Sequence, residues 1–111
     1  MTFPYATGHP FPLFLAPMAG VSEAPFRRLC RRDGADVVVS EFLSSEGLRR
    51  KNERTLEMAA FDATERPIGI QIFGAEPDAM AEAAALVTEY FRPEFVDINF
   101  GCPVKKVVRR N

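Results

Sequence analysis

The chain has 111 residues, enough for one modest domain, and its 47% hydrophobic and 26% charged content excludes a disordered tail. A formal net charge of -1 excludes a uniformly basic nucleic-acid module but leaves room for a local basic patch. Its two cysteines, Cys30 and Cys102, are too far apart for a metal-ligand spacing and too few for a disulfide framework, no apolar run approaches the ~20 residues that span a bilayer, and residues 1–12 lack a signal-peptide pattern. These features read as one continuous unit in a reducing, cytoplasmic compartment, with no membrane partner.

In chain order, Leu13–Ala16, closed by Pro17, predicts a first buried strand. Ser22 predicts the N-cap of a helix with Pro25 in its first turn. On that helix Phe26, Leu29 and Cys30 share an apolar face, and Arg27, Arg28, Arg31 and Arg32 fall largely on a solvated one. Cys30 is therefore expected to be inert core. Asp33-Gly34 ends the helix, and Val37–Val39 predicts the second strand. Ser45 to Lys51 reads as a short helix followed by a charged connection. Ile68–Phe73 predicts the third strand, ended by Gly74. Pro77 then opens an alanine-rich helix with Met80, Ala84, Val87 and Phe91 on one face. Phe95–Asn99 predicts the fourth strand, ended by Gly101.

Apolar strands alternating with amphipathic helices predict a parallel α/β sheet, either a doubly wound open sheet or a barrel. Polar or small residues collect at the C-terminal end of every predicted strand: Pro17-Met18-Ala19, Ser40-Glu41, Gln71 and Asn99. Alternation puts Gly69 and Gln71 on one face of the third strand and Asp97 with Asn99 on one face of the fourth. A polar rim at one end of the strands favours a (β/α)8, or TIM, barrel, whose active sites lie there. No Gly-x-Gly-x-x-Gly loop or Gly-Lys-Ser/Thr phosphate loop follows any strand.

Three stretches carry a family resemblance. Leu15-Ala16-Pro17-Met18-Ala19-Gly20-Val21 with Pro25-Phe26-Arg27 resembles the first strand and helix of the tRNA-dihydrouridine synthases. Gln71-Ile72-Phe73-Gly74 is similar to their third-strand flavin contact, and Asp97-Ile98-Asn99-Phe100-Gly101-Cys102-Pro103 to their fourth-strand catalytic motif. Ser40-Glu41-Phe42 also matches the end of the family's second strand. The motifs occur in the family's order from about Leu13 onward. The resemblance implies a lead-in over residues 1–12, then, over 13–111, the N-terminal half of an FMN-binding TIM barrel that reduces uridine to 5,6-dihydrouridine in tRNA. NADPH would reload the flavin.

Carried onto this sequence, the resemblance makes Cys102 the proton donor to C5 of the uracil ring. A thiol with an unperturbed pKa of about 8.5 is mostly protonated at neutral pH and suits that task. Pro17, Met18, Ala19 and Gln71 would bind the flavin. Asn99, with donor and acceptor on one amide, would meet the uracil edge or the flavin ring. Lys105 and Lys106 follow the cysteine directly, where tRNA phosphates would approach. Glu41 receives no definite role, and His9 reads as a solvated loop residue. A complete barrel has eight strands and about 250 residues, so this stretch alone is expected to be marginal as a fold and inactive. Two other readings stay open: an FMN-barrel oxidoreductase acting on a small molecule, and a non-catalytic product that keeps the motifs.

Overall fold

A computed structural model describes residues 10–101 of the chain. The strands are β1 (Phe14–Leu15), β2 (Val37–Val39), β3 (Leu43–Ser44), β4 (Ile68–Phe73) and β5 (Phe95–Ile98). They form one five-stranded sheet in which every pairing is parallel. The helices are α1 (Ala24–Arg32), α2 (Ser45–Arg49), α3 (Glu53–Ala59) and α4 (Pro77–Phe91), with a 3-10 turn at Ala63–Glu65.

β4 is the centre of the sheet, and all six of its residues are buried. β5 pairs along one edge of it from Gly69 to Ile72. β2 and β3 share the other edge: Val38 and Val39 face Ile68 and Gly69, and Leu43 and Ser44 face Ile72 and Phe73. Five steps on the outer strand, Val38 to Leu43, therefore cover four on β4, Ile68 to Ile72. The extra residue is a one-residue bulge within Ser40–Phe42. Without it, alternation would turn Leu43 to the face of Gln71; with it, Leu43 joins Ile72 on the helix-covered face.

That face holds the core. Ile70, Ile72 and Leu43 pack with Leu48, Ala59, Ala83 and Val87 from the helices. Small side chains let α4 sit close to the sheet: Ala79, Ala83 and Val87 are its buried residues. Met80, Ala84 and Phe91, expected beside Val87, pack against the core only partly buried. The opposite face carries Gly69 and Gln71. The Phe95 ring lies so close over Gly69 that a Cβ there would sit 2.2 Å from it, and the missing side chain is what makes room for the ring.

Four expectations are corrected. The sheet has five strands rather than four, because past the expected second strand, Val37–Val39, the bulge returns the chain to β4 as a further short strand, β3. β1 is an edge rather than a buried strand: it pairs with β2, and Phe14 is half exposed. The charged connection contains α3 and the 3-10 turn, each capped by an acceptor at its start, Asn52 and Asp62. Finally, α1 begins at Ala24 with Glu23 at its N-cap, and no side chain caps it.

The face of α1 is also inverted at one position. Arg27 is buried, whereas Leu29 is exposed and Cys30 only half-buried. Arg27 can be buried because every part of its guanidinium is matched: Nε to Glu65 Oε1 at 2.7 Å, Nη1 to Ser22 O at 2.8 Å, and Nη2 to Ala60 O at 3.4 Å. Arg31 likewise donates to the carbonyls of Arg66 and Ala35. Arg27 and Arg31 thus tie α1 to the 60–66 segment, and Arg28 reaches Asp62 and Glu65 in it at 3.9 and 3.8 Å.

Candidate active site at the strand-end rim

The C-terminal ends of β1, β2, β4 and β5 converge on one rim. The loop after β1 is a closed turn. Ser22 Oγ accepts from Met18 N at 2.8 Å and donates to Met18 O at 3.0 Å, and Val21 N and Ser22 N also donate to Met18 O. This is what Ser22 does in place of capping α1. Gly20 at the apex has a φ of +76°, a left-handed conformation that glycine adopts without a Cβ penalty. Its N–H donates to Glu41 Oε1, across from the β2–β3 bulge.

The turn consumes the Met18 backbone, while the adjacent Ala19 N–H makes no hydrogen bond among the described residues. Pro17 is half-buried, and Met18 and Ala19 are exposed. The loop therefore offers a flat ligand the Met18 side chain and the Ala19 N–H, rather than Met18's own backbone.

The second part of the site is a ladder of side chains across β4 and β5. Gln71, buried at 6% exposure, donates from Nε2 to Asp97 Oδ2 at 2.6 Å and accepts at Oε1 from Asn99 Nδ2 at 3.2 Å. Asn99 Oδ1 in turn accepts from Gly101 N at 3.1 Å, an Asx turn that starts the chain toward residue 102. The main chain is pinned as well: Asn99 N donates to Ile72 O, and Gln71 N donates to Ser40 Oγ. The bulge thus serves both halves of the rim, Ser40 reaching β4 and Glu41 reaching the β1 loop.

A groove of about 230 Å³ opens beside the loop among Ala19, Gly20, Glu41, Phe42, Arg54 and Met58. It continues into a cleft of about 320 Å³ that Arg27 and Glu57 also line. Carboxylates and guanidiniums are mixed along it, and Arg27 is already paired with Glu65, so it lacks the cationic excess of a phosphate site.

Sequence reasoning brings Pro17, Met18, Ala19, Gln71 and Asn99 to this rim, and the structure puts all five there. Cys102, Lys105, Lys106 and His9 lie outside the described residues. The sequence reading missed Asp97 as the partner of Gln71, although alternation already put it on the face of Asn99. It also missed the tether from Glu41 to Gly20, which depends on a bulge with no local sequence signal. Among the described residues, no group of three His, Cys, Asp or Glu is arranged to hold a metal, and no helix is long and apolar enough to cross a membrane.

A family model described as dihydrouridine synthase (Dus) matches residues 14–111, a span that includes both the β1 loop and the Gln71–Asn99 ladder. The chain belongs to the dihydrouridine synthase family. Its parallel sheet with alternating helices is accordingly the N-terminal part of the family's TIM barrel. Curated relatives of this dihydrouridine synthase chain include a probable tRNA-dihydrouridine synthase of Aquifex aeolicus, 46% identical over 97 residues that cover 87% of this chain and 30% of the relative. The tRNA-dihydrouridine synthase B of Pseudomonas aeruginosa is 46% identical over 99 residues, covering 88% and 29%. A probable tRNA-dihydrouridine synthase of Rickettsia conorii is 42% identical over 99 residues, covering 86% and 29%. The chain spans about 30% of the length of the relatives it matches.

Proposed function

We propose that residues 13–111 supply the flavin-side rim of an enzyme that reduces uridine to 5,6-dihydrouridine in tRNA, with FMN as its cofactor, NADPH as the reductant and the cytoplasm as its compartment. The observation that carries this reading is the Asp97–Gln71–Asn99 ladder, which delivers the chain directly to the Asn-x-Gly-Cys-Pro motif.

The donor set suits FMN. An isoalloxazine ring has apolar faces and a polar edge. The Met18 side chain beside Pro17 offers an apolar platform, and the Ala19 N–H and Gln71 amide offer polar groups for the edge. When bound, FMN in its reduced form supplies a hydride to C6 of the uracil ring. The protein must then provide a proton at C5, and the Cys102 thiol is assigned that role. Asn99 positions the backbone that leads to Cys102, because its Oδ1 holds Gly101 N. Lys105 and Lys106 would contact tRNA phosphates and help hold a base drawn out of its stack. Charge reversal at both lysines is expected to weaken tRNA binding more at low salt than at high salt.

The deciding experiment is Cys102→Ala in the full-length protein, with dihydrouridine in cellular tRNA as the readout. The variant is expected to lose the modification while still binding FMN. Unchanged dihydrouridine would remove Cys102 from the reaction. Normal tRNA dihydrouridine in a strain lacking the gene would favour a small-molecule substrate instead.

A further inference from the structure

We propose that Glu41 is the positioning residue for the flavin loop: presented by the β2–β3 bulge, its carboxylate holds the Gly20 N–H and so fixes the Ala19 N–H where the cofactor's polar edge would meet it. The inference rests on the FMN reading and goes beyond it, because Glu41 belongs to neither the proton-donor motif nor the amide ladder.

Three observations combine. Glu41 is 9% exposed, and a carboxylate that far from water needs a partner; it accepts from Gly20 N. Gly20 has a φ of +76° and directly follows Ala19, so fixing the Gly20 N–H fixes the peptide plane next to the Ala19 donor. The rest of the turn is closed on itself through Ser22 and Met18, so it moves as one body about its ends. Holding its apex to the neighbouring strand removes that freedom before a ligand arrives, and such pre-organisation appears as affinity.

The bulge explains how a strand-end carboxylate reaches sideways to the β1 loop. Its extra residue frees the segment after Val39 from strict alternation while Ser40 stays fixed to β4, its N–H on Gly69 O at 2.9 Å and its Oγ accepting from Gln71 N at 3.1 Å. Glu41 thus stands on a fixed base, one residue past Ser40, whose hydroxyl holds Gln71 N. One bulge sets the loop and the ladder relative to each other.

The test uses the full-length enzyme and its dissociation constant for FMN. Glu41→Gln keeps an oxygen acceptor, Glu41→Met keeps the shape without one, and Glu41→Asp keeps the charge but draws it back by a methylene. Glu41→Met and Glu41→Asp are expected to bind FMN about tenfold more weakly or worse, and Glu41→Gln within about threefold of the unmodified enzyme. Thermal melting of the apo-enzymes separates loss of affinity from loss of fold; if Glu41→Met does not fold, Glu41→Asp decides. Unchanged affinity in whichever of the two folds overturns the proposal. So does a Glu41→Gln loss as large as theirs, since an oxygen acceptor at full reach would then not be enough to hold the loop. If the unmodified enzyme binds no FMN, the flavin reading itself fails, a result distinct from any of these.

Discussion

Asn99, the residue after β5, and Gln71, on the neighbouring β4, share a side-chain hydrogen bond of 3.2 Å, and Gln71 spends its other amide atom on Asp97 at 2.6 Å. Each partner orients the other, so the Gln71 amide cannot turn over without breaking two bonds. The ladder is buried at Gln71 and half-buried at its ends.

Gln71→Leu should therefore do more than remove the proposed cofactor contact. It leaves the Asp97 carboxylate and the Asn99 amide each short of a partner, at a cost of about 1–3 kcal/mol of stability. Gln71→Glu is nearly the same size but puts a second carboxylate against Asp97, and should weaken FMN binding through like-charge repulsion. Urea unfolding and FMN titration of the full-length variants check both. Unfolding and binding equal to those of the unmodified enzyme would show that the ladder has no structural role.

Gly69 and Phe95 form a second matched pair on the same face. A Cβ at Gly69 would lie 2.2 Å from the ring, well inside any contact a real methyl group makes. Gly69→Ala should cost about 1–3 kcal/mol as the ring is forced off its rotamer. Phe95→Leu on the Gly69→Ala background should recover part of that loss, and a double-mutant cycle in urea measures the coupling. Simple additivity would place the strain elsewhere.

How much of this is visible in the sequence depends on whether the cause is local. Ile68–Phe73 can be read to the residue, because a continuous apolar run is bracketed by Pro67 and Gly74. The pairing of Gln71 with Asn99 follows from alternation once the strands are known to be neighbours. The bulge cannot be read this way: Val37 to Ser45 contains no proline or glycine to announce it, and only the register against β4 reveals it. Arg27 is similar. Its helix position looks solvated because its partner, Glu65, is 38 residues away, on a turn whose Asp62-x-x-Glu65 capping pattern does not say what it packs against.

Asp62 links acid sensitivity to that turn. Hydrogen bonds from the Thr64 hydroxyl and then the Thr64 N–H hold its carboxyl below the ordinary value of 3.8; partial desolvation opposes them, and the Arg28 guanidinium adds to them. Because the folded-state value is the lower one, Asp62 contributes stability above its ordinary pKa. That contribution is lost as pH falls through the depressed value. Melting temperatures of the full-length enzyme should drop on acidification below about pH 4. Asp62→Asn should flatten the Asp62 share of that drop while lowering stability at neutral pH. If the two acid profiles are parallel, the carboxylate contributes nothing to the pH dependence.

The Arg27–Glu65 pair sets a sharper energetic expectation. Both side chains are almost wholly out of water, at 2% and 0% exposure, and the contact is 2.7 Å. Glu65 Oε2 also accepts from Asp62 N at 2.9 Å, so the same carboxylate closes the capping box of the 3-10 turn. Losing Glu65 strands the buried Arg27 charge, and losing Arg27 leaves Glu65 only the more distant Arg28 Nε, at 3.8 Å. Arg27→Met or Glu65→Gln should each cost about 3–5 kcal/mol. Removing both charges together, as Arg27→Met with Glu65→Gln, should cost less than the sum of the single losses, because neither charge is left unpaired. Arg27 also holds Ser22 O at 2.8 Å, and Ser22 closes the β1 turn, so the Arg27 variant alone should loosen the loop after β1. Guanidinium unfolding and FMN affinity, measured on the same full-length variants, separate the two consequences. Equal FMN affinity in Arg27→Met and Glu65→Gln, with equal loss of stability, would confine the pair to holding α1 against the turn.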